Sequence, residues 1–273
     1  MKIVSLLENA AKAEGLCASH GLSLYIETPN HKILFDMGPD EGFLRNAEAL
    51  GVDLTAVDIA ILSHGHYDHG GGMAAFLKMN DRAKVYIREN AFENYVALEQ
   101  EGERFIGIDW RLKENDRVVL TGEKLRIDEE LLLFADVPRD FDTGASSGRL
   151  FRRTAGGLLL DGFTHEQDLL ITAEGKSVLV AGCAHRGIVN ILSAAKARLG
   201  RLPDATFGGF HLFQLEEGNP ASDALIDLTA KTLLPGETVY HTGHCTGEYA
   251  YRRLKTALGD RLQSIPGGSI YEI

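Results

Sequence analysis

The sequence predicts an α+β fold, and three observations lead to that prediction. Short runs rich in Val, Ile, Leu and Tyr recur along the whole chain, with turn residues at their ends. Amphipathic patterns of helical period lie between some of these runs. Strand patterns dominate the first half of the chain, whereas strand and helix patterns alternate in the second half. The length alone allows one large domain or two small ones, and we expect a single domain over residues 1–273.

The predicted strands are short runs of apolar and β-branched residues. In chain order they are Lys2–Leu7, Leu22–Glu27, Lys32–Asp36, Asp58–Ser63, Lys84–Arg88, Arg117–Leu120, Leu131–Phe134, Asp168–Thr172, Ser177–Ala181, Thr238–His241 and Gly268–Tyr271. The segment Thr-Pro-Asn-His between the second and third runs predicts a hairpin turn.

The first predicted helix begins after Asp40, which is a good capping residue, and runs to Leu50, with Gly51 just past its end. The other predicted helices are Met73–Met79, Ala91–Gln100, Gly187–Leu199, Ser222–Leu234 and Gly247–Leu258. The stretch Thr121–Gly157 has the least regular pattern and predicts a long loop, and such loops are often lids or binding loops.

Composition restricts the classes of function. The formal net charge of −11 argues against long nucleic acid as a partner, because proteins that bind phosphate backbones usually carry a basic stripe. The basic cluster Arg149, Arg152 and Arg153 has two interpretations. These arginines either contact a small anion near a site or pair on the surface with Asp140, Asp142 or Asp161.

Cysteine content and hydropathy suggest where the protein works. Three cysteines at wide spacing do not form a disulfide framework, which favours a reducing compartment. The N-terminal segment reaches Glu8 before any long apolar run, so we interpret it as a strand and not as a signal peptide. No run approaches the roughly 18–20 apolar residues of a membrane span. We therefore expect a cytoplasmic protein with a small-molecule substrate, no membrane partner, and an oligomeric state that the sequence leaves open.

The segment from Ser63 to Gly72 indicates metal chemistry. Directly after an apolar run it places four potential ligands within six residues, His64, His66, Asp68 and His69. Such spacings cannot all face one side of a helix or strand, so they predict a tight turn that directs several side chains to one point. Imidazole and carboxylate together suit a divalent ion such as zinc, manganese or iron.

The pattern His-x-His-x-Asp-His after a strand resembles the signature of the metallo-β-lactamase superfamily. The upstream segment from Ile33 to Gly38 is similar to the first motif of that family. Three later segments resemble the branch of dihydropterin-ribofuranosylaminobenzene-phosphate synthase-like proteins: Gly182–Asn190, Gly208–Leu212 and His244–Gly247. The resemblance implies a four-layer αβ/βα sandwich, in which two mixed β-sheets are flanked by helices and the site lies at one edge.

The resemblance also implies two divalent metal ions, zinc in the first instance, with manganese or iron as alternatives. One ion takes His64, His66 and a distal histidine, and the other takes Asp68, His69 and another distal histidine. The resemblance further implies that Asp36 hydrogen-bonds a ligand imidazole and fixes its tautomer.

The choice of the distal ligands is less direct. We assign them to His185 and His244, each of which ends an apolar strand and precedes a helix. Many members of the family place a bridging aspartate after a strand and a glycine, whereas here Cys183 follows Gly182. Cys183 is therefore either a thiolate ligand or a buried thiol, and occupancy of the second metal site stays open.

Three further histidines leave alternatives open. His165 lies where many family members carry their third-motif histidine, so it competes with His185. His211 and His241 are equally compatible with a ligand role and with an ordinary structural role.

These features predict a metal-dependent hydrolase that uses a metal-bound hydroxide on a small anionic ester, a phosphoester first of all. Asp68 and Asp36 are the expected catalytic residues, and Arg152 and Arg153 are the expected substrate contacts. A lactone or thioester hydrolase is the first alternative. An iron-dependent redox enzyme on the same fold is the second, although histidine at position 66 favours hydrolysis. A ligand-binding module without activity is the third, and the complete ligand set argues against it.

Overall fold

A computed structural model of the protein describes residues 1–141 and 149–273. These residues form two compact units. The first comprises the described parts of Met1–Gly122, Gly148–Gln167 and Pro266–Ile273, and the second comprises those of Glu123–Ser147 and Asp168–Ile265. Among the residues that the structure describes, no helix is both long and apolar enough to cross a bilayer.

The strands are listed here in chain order: β1 (Lys2–Leu7), β2 (Ser23–Glu27), β3 (Lys32–Phe35), β4 (Ile59–Ile61), β5 (Lys84–Arg88), β6 (Tyr95–Glu99), β7 (Gly102–Phe105), β8 (Val118–Thr121), β9 (Lys124–Arg126), β10 (Leu131–Phe134), β11 (Leu150–Thr154), β12 (Gly157–Leu160), β13 (Asp168–Ala173), β14 (Lys176–Val180), β15 (Ala205–Gly208), β16 (Val239–Thr242), β17 (Leu262–Ser264) and β18 (Ile270–Glu272). The α-helices are α1 (Gly42–Ala49), α2 (Tyr67–Gly70), α3 (Met73–Met79), α4 (Ile188–Leu199), α5 (Pro220–Leu233) and α6 (Glu248–Leu258).

The first unit contains a mixed seven-stranded sheet in the order β18-β1-β2-β3-β4-β5-β8. Strands β18 to β3 pair antiparallel, and β3 to β8 pair parallel. Phe43 of α1 and Phe76 of α3 are fully buried in one apolar cluster with Leu34 of the sheet. Each such side chain contributes about 1.5–3 kcal/mol to folding through burial. This cluster supports the edge at which β3 and β4 end.

The edge of this sheet joins distant parts of the chain. Strand β18 pairs with β1, with Lys2 opposite Glu272. The amino group of Met1 donates a hydrogen bond to the carbonyl oxygen of Ile273 over 3.0 Å, and the amide of Ile273 donates to the Met1 carbonyl over 2.9 Å. Residues 1 and 273 therefore lie side by side.

The second unit contains another mixed seven-stranded sheet, in the order β17-β16-β15-β14-β13-β10-β9. Strands β14 to β17 pair parallel, as expected for strands that alternate with α4, α5 and α6. Ile191 of α4, Ile226 of α5 and Leu254 of α6 are fully buried in the cluster that contains Leu179 and Tyr240 of the sheet. The predicted α+β class, with two mixed sheets, is confirmed.

A third, antiparallel sheet was not predicted. Its order is β12-β11-β6-β7, and it belongs to the first unit. The predicted helix Ala91–Gln100 is wrong, because Tyr95–Glu99 forms strand β6 and pairs with β11 and β7. Tyr and Val at its start favour a strand, and cross-strand pairing outweighs a weak helical pattern.

The predicted long loop Thr121–Gly157 is also wrong for the part of it that is described. Strands β9, β10 and β11 lie within it. Strand β10 pairs with β13 and β9, so this stretch contributes to both the second and the third sheets. Positions 142–148 of the predicted loop lie outside the described residues.

Candidate metal centre

The ends of two parallel strands place the histidine-rich segment. Strands β3 and β4 are parallel neighbours, and Asp36 follows the first while Ser63 and His64 follow the second. Because parallel strands end at the same edge, Asp36 meets the segment that begins at Ser63. Gly65 permits the turn, since a Cβ atom there would lie 2.2 Å from the carbonyl oxygen of Ala91.

Asp36 organises this edge through three hydrogen bonds. Its Oδ1 accepts from the amide of Ser63 over 2.8 Å. Its Oδ2 accepts from the hydroxyl of Ser63 over 2.8 Å and from Nδ1 of His69 over 2.6 Å. The carboxylate is fully buried, and Asp36 has a φ of +59°, a conformation that is rare outside glycine. The backbone strain and the complete hydrogen bonding together mark a position under tight constraint.

These bonds determine the tautomers of two histidines. The hydroxyl of Ser63 donates its single hydrogen to Asp36, so it accepts from Nδ1 of His64, which lies 2.8 Å away. His69 likewise carries its hydrogen on Nδ1, because a carboxylate only accepts. In both rings the lone pair therefore lies on Nε2, which is the atom needed to coordinate a metal.

His66 and Asp68 complete a donor set with His64. The potential ligand atoms of these three residues all lie within 4.8 Å of one another. Burial lowers the pKa of His66, which favours the neutral imidazole that a metal requires. Two imidazoles and a carboxylate suit zinc and similar divalent ions, so these residues fit the divalent metal that the sequence predicts.

His165 makes a different set of contacts. The amide of Gly65 donates to its Nδ1 over 2.9 Å, so the ring hydrogen lies on Nε2 and is donated to Oδ2 of Asp161 over 3.0 Å. Both ring nitrogens are thus engaged within the protein, which argues against His165 as a metal ligand. Burial raises the pKa of Asp161, but hydrogen bonds from His165 and His66 outweigh it and hold that pKa well below its usual range. Asp161 therefore stays ionised beside His66.

Gln167 forms hydrogen bonds with the residues that follow β4. Its side-chain Nε2 donates to the carbonyl oxygen of Leu62 over 2.8 Å, and its backbone amide donates to the carbonyl oxygen of Ser63 over 2.7 Å. Its Oε1 accepts from the hydroxyl of Thr121 over 2.7 Å. Sequence reasoning gave no role to Ser63 or Gln167, because neither residue carries chemistry that a pattern would single out.

The arginines expected to contact substrate are paired with glutamates. Arg152 lies 2.6 Å from Glu93, and Arg153 forms an ion pair with Glu103. The expected surface partners Asp140 and Asp161 are not the ones used, and position 142 lies outside the described residues. Each arginine keeps about two-fifths of its side chain exposed, so an anion can still approach it.

In the second unit, parallel strands present the later histidines. Strands β14, β15 and β16 are adjacent, and the loops at their carboxyl ends carry His185, His211 and His244. All three are buried. The rings of His185 and His211 lie with centroids 4.2 Å apart.

The Sγ atom of Cys183 lies 3.3 Å from Nε2 of His244. The thiols of Cys183 and Cys245 are both buried, and neither is part of a disulfide. Burial raises the pKa of Cys245, but the hydrogen bond with Cys183 and the nearby His244 and His211 outweigh it and lower that pKa well below its usual range.

His241 has the surroundings of a structural residue. It lies inside β16 and stacks on Phe207, with ring centroids 4.1 Å apart and planes 1° from parallel. Burial lowers its pKa to about 4. These contacts favour the structural interpretation over a ligand role.

Comparison with known proteins finds a matching family and several relatives. Residues 18–244 match the model of the Metallo-beta-lactamase superfamily. An uncharacterized protein of Methanocaldococcus jannaschii is 30% identical over 255 residues, which cover 91% of this chain and 92% of that protein. From the same organism, 7,8-dihydropterin-6-methyl-4-(beta-D-ribofuranosyl)-aminobenzene-5'-phosphate synthase is 28% identical, over 99% of this chain and 96% of its own.

A solved structure is similar over the whole chain. It is that of Tm1679, described as a metal-dependent hydrolase of the beta-lactamase superfamily. The TM-score is 0.85 at 27% identity, and the match covers 100% of this chain and 99% of the other.

Proposed function

This chain belongs to the metallo-beta-lactamase superfamily, and from that premise we propose that it is a metal-dependent hydrolase of a small anionic ester, with phosphoesters as the substrate class. The superfamily, the branch and the fold predicted from the sequence are confirmed by these relatives. The activity and its substrate are the proposal. The observation that carries it is the hydrogen-bond network of Asp36, which sets two histidines in the tautomer that coordinates metal.

We assign the metal ligands from the family pattern. His64 and His66 belong to one ion, and Asp68 and His69 belong to the other. Such ions supply Lewis acidity that makes water a nucleophile near neutral pH. Zinc is the first choice for a donor set rich in imidazole, with manganese or iron as alternatives.

The distal ligands are His185 and His244 in this proposal. The support comes from the family pattern and from the position of each residue at the carboxyl end of a parallel strand. His165 is not included, because its two ring nitrogens are engaged with Gly65 and Asp161.

The residues of the chain position the reacting groups. Asp36 holds the rings of His64 and His69, through Ser63 in the first case and directly in the second. The Oδ2 atom of Asp68 lies 3.7 Å from Nε2 of His69, and this distance supports a role for Asp68 in binding an ion and orienting water. Removal of the Asp36 carboxylate would therefore disturb the orientation of two histidines. Removal of the Asp68 carboxylate would instead disturb ion binding and the orientation of water.

A phosphorylated substrate is favoured by one relative and by two arginines. The relative from Methanocaldococcus jannaschii is named as the synthase of a ribofuranosyl 5'-phosphate compound, so a phosphorylated ligand is reasonable for this chain as well. Arg152 and Arg153 are the proposed phosphate contacts, since a guanidinium fork matches phosphate. The name of that relative also favours a second candidate, a synthase reaction on a phosphorylated compound, whereas the hydrolase Tm1679 favours hydrolysis.

The proposed location is a reducing compartment, the cytoplasm. Its support is that none of the three cysteines is part of a disulfide.

The metal assignment is tested with the double variant His64→Ala, His66→Ala. We expect the folded variant to lose the metal of the first site, as measured by elemental analysis and circular dichroism on one sample. His31→Ala is the matched control, because His31 pairs with Asp58 at 2.7 Å outside the cluster. Unchanged metal content in the double variant would refute the assignment.

The substrate class is tested with a panel of phosphodiesters, phosphomonoesters, lactones and thioesters, using metal-loaded enzyme. Cleavage of a phosphoester supports the proposal. Cleavage of lactones or thioesters alone would show that the proposed substrate class is wrong. A redox reaction with bound iron would show that the proposed hydrolysis is wrong. An unchanged Michaelis constant in Arg152→Ala, Arg153→Ala would remove the arginines from the substrate site.

A further inference from the structure

A further imidazole lies beside the candidate metal centre, on a loop of the first unit that precedes β2. It belongs to His20, whose Nε2 lies 3.4 Å from Oδ2 of Asp68. Half of the His20 side chain is exposed, whereas only 10% of the Asp68 side chain is. Among the described residues, the groups of donor atoms that lie within 4.8 Å of one another include Asp68 but not His20. His20 thus touches a proposed ligand without belonging to the ligand set.

The backbone fixes the loop that carries His20 against the turn that carries Asp68. The amide of Leu22 donates to the carbonyl oxygen of Asp68 over 3.3 Å. A Cβ atom at Gly21 would lie 2.4 Å from the same oxygen, so only glycine allows the loop to come this close. His20 directly precedes Gly21 and is therefore held beside Asp68 by main-chain contacts that do not involve its own ring.

Asn9 determines which nitrogen of the His20 ring carries the hydrogen. The amide of Gly21 donates to Oδ1 of Asn9 over 3.3 Å, so the Nδ2 group of Asn9 is the donor on its other side. That Nδ2 lies 3.4 Å from Nδ1 of His20, which therefore accepts. A neutral imidazole that accepts at Nδ1 carries its hydrogen at Nε2. The Nε2–H group of His20 is thus the one that lies next to Oδ2 of Asp68.

A second imidazole nitrogen lies near the same oxygen, but it cannot donate to it. Nε2 of His69 is 3.7 Å from Oδ2 of Asp68, whereas Asp36 holds the hydrogen of His69 on Nδ1. Nε2 of His69 therefore presents a lone pair to this carboxylate, and only His20 of the two rings offers a hydrogen. Carboxylates that bind metals are generally held by such outer hydrogen bonds, which restrict their rotation.

We propose that His20 is a positioning residue of the candidate centre, and that its Nε2–H group orients the carboxylate of Asp68. The inference rests on the proposed function, because it takes Asp68 as the ligand that binds an ion and orients water. Asp68 then has an outer partner in His20, as His69 has one in Asp36. Loss of such a partner typically lowers metal affinity or activity by about 10–100-fold.

The first experiment measures the Zn²⁺ affinity of the full chain by competition with a chelator, in His20→Ala and in His20→Gln. The Nε2 donor of a glutamine can replace the imidazole N–H, whereas an alanine cannot donate. We expect His20→Ala to lower the affinity for the ion of Asp68 by about 10-fold and His20→Gln to retain most of it. Circular dichroism should show that both variants fold, because the side chain of His20 is half exposed.

His31→Ala is the matched control, because His31 also pairs with a carboxylate, that of Asp58 at 2.7 Å, but outside the centre. It should leave the Zn²⁺ affinity unchanged. An unchanged affinity in His20→Ala would overturn the proposal. Equal losses in His20→Ala and His20→Gln would also overturn it, since the donated hydrogen would then have no effect.

The visible absorption of bound Co²⁺ gives a readout that a purely structural role would not change, because these bands depend on the arrangement of the ligands. We expect the bands to shift in His20→Ala at unchanged Co²⁺ stoichiometry, and to return toward those of the unmodified chain in His20→Gln. Identical spectra for the unmodified chain and His20→Ala would contradict a role in orienting Asp68.

The tautomer of His20 can be measured on the unmodified, metal-free chain by ¹⁵N NMR, with the spectrum of His20→Gln used to assign the ring. We expect the hydrogen on Nε2, at a pH where the ring is neutral. A hydrogen on Nδ1 would overturn the proposal, because Nε2 would then have nothing to donate to Asp68.

Failure of this inference and failure of the proposed function give different results. If no ester is cleaved but His20→Ala still weakens Zn²⁺ binding, the proposed hydrolysis is wrong and the role of His20 stands. If an ester is cleaved, His20→Ala should lower kcat by about 10-fold with little change in KM, because the substrate contacts are kept. An unchanged kcat together with an unchanged Zn²⁺ affinity would remove His20 from the centre and leave the hydrolase assignment in place.

Discussion

At the scale of single residues, the candidate centre depends on where hydrogens lie. Asp36 accepts from Ser63 and from His69, and Ser63 in turn accepts from His64. One carboxylate thus sets two imidazoles, so metal affinity should be sensitive to a residue that need not touch the ion.

The variant Asp36→Asn tests this dependence. An amide can donate as well as accept, so the tautomers of His64 and His69 are no longer fixed. We expect metal affinity to fall by about 10–100-fold in a chain that still folds. Competition with a chelator of known affinity measures the change.

Asp58→Asn is the matched control for that variant, because Asp58 forms an equivalent pair with Nδ1 of His31 at 2.7 Å. It should leave metal affinity unchanged. Equal losses in the two variants would mean that Asp36 acts through general stability alone.

His165 gives a contrasting prediction. Its two ring nitrogens bond Gly65 and Asp161, so His165→Gln should leave metal stoichiometry unchanged. Stability should fall by about 1–3 kcal/mol, since buried partners lose well-placed bonds. Elemental analysis and urea unfolding measure the two effects, and loss of one metal equivalent would restore His165 as a ligand.

At the scale of elements, the turn between β4 and α2 depends on close packing. Gly65 lies against the carbonyl of Ala91, where a Cβ atom would be only 2.2 Å from the oxygen. The same amide of Gly65 bonds His165. Any side chain at this position therefore pushes His64 and His66 away from their places.

We expect Gly65→Ala to lower both metal affinity and stability, the latter by about 1–3 kcal/mol through overpacking. Metal titration and urea unfolding measure the two effects. Gly122→Ala is the matched control, because a Cβ atom there meets nothing within 4 Å. If both variants had the same metal affinity and stability, the close approach at Gly65 would not be needed for the metal site.

Elements with strong local patterns could be predicted from the sequence, whereas those defined by their partners could not. Strands β5 and β10 have the predicted bounds, since each is an apolar run between turn residues. Strand β7 is exposed along its length and exists because β6 lies beside it. The helical pattern in Ala91–Gln100 is a local signal. Pairing of β6 with β11, whose residues lie about 50 positions away, outweighs it.

Some residues of the candidate site could likewise be predicted from the sequence, and others could not. Four potential ligands in six residues are visible in the sequence, because their chemistry and spacing are unusual. The roles of His165 and Gln167 depend on strands that bring them to Gly65 and Ser63 across about 100 residues. No local pattern contains that information.

At the scale of the whole molecule, buried histidines make stability depend on pH. The pKa of His241 is lowered to about 4 in the folded chain, below its ordinary value of 6.5. The unfolded chain therefore binds a proton more readily over this interval. Stability from this group is fully present above about pH 6.5 and is lost as the pH falls toward 4.

We expect the free energy of unfolding to decline by up to about 1.4 kcal/mol per pH unit from His241 within that window. His241→Gln should show a shallower decline, because it has no group to titrate. Urea unfolding at several pH values between 7 and 4.5 measures both slopes. Identical slopes would mean that other groups account for the acid sensitivity.

The pairing of β1 with β18 has a consequence for the connectivity of the chain. Because residues 1 and 273 exchange hydrogen bonds, a short linker could join them and close the backbone into a ring. The ring could then be reopened at Gly175, an exposed glycine in the tight turn between β13 and β14. Such a circular permutant would carry its new ends in the second unit and keep every proposed ligand on an uninterrupted segment. The order of the elements along the chain could therefore be changed while the contacts between them are kept.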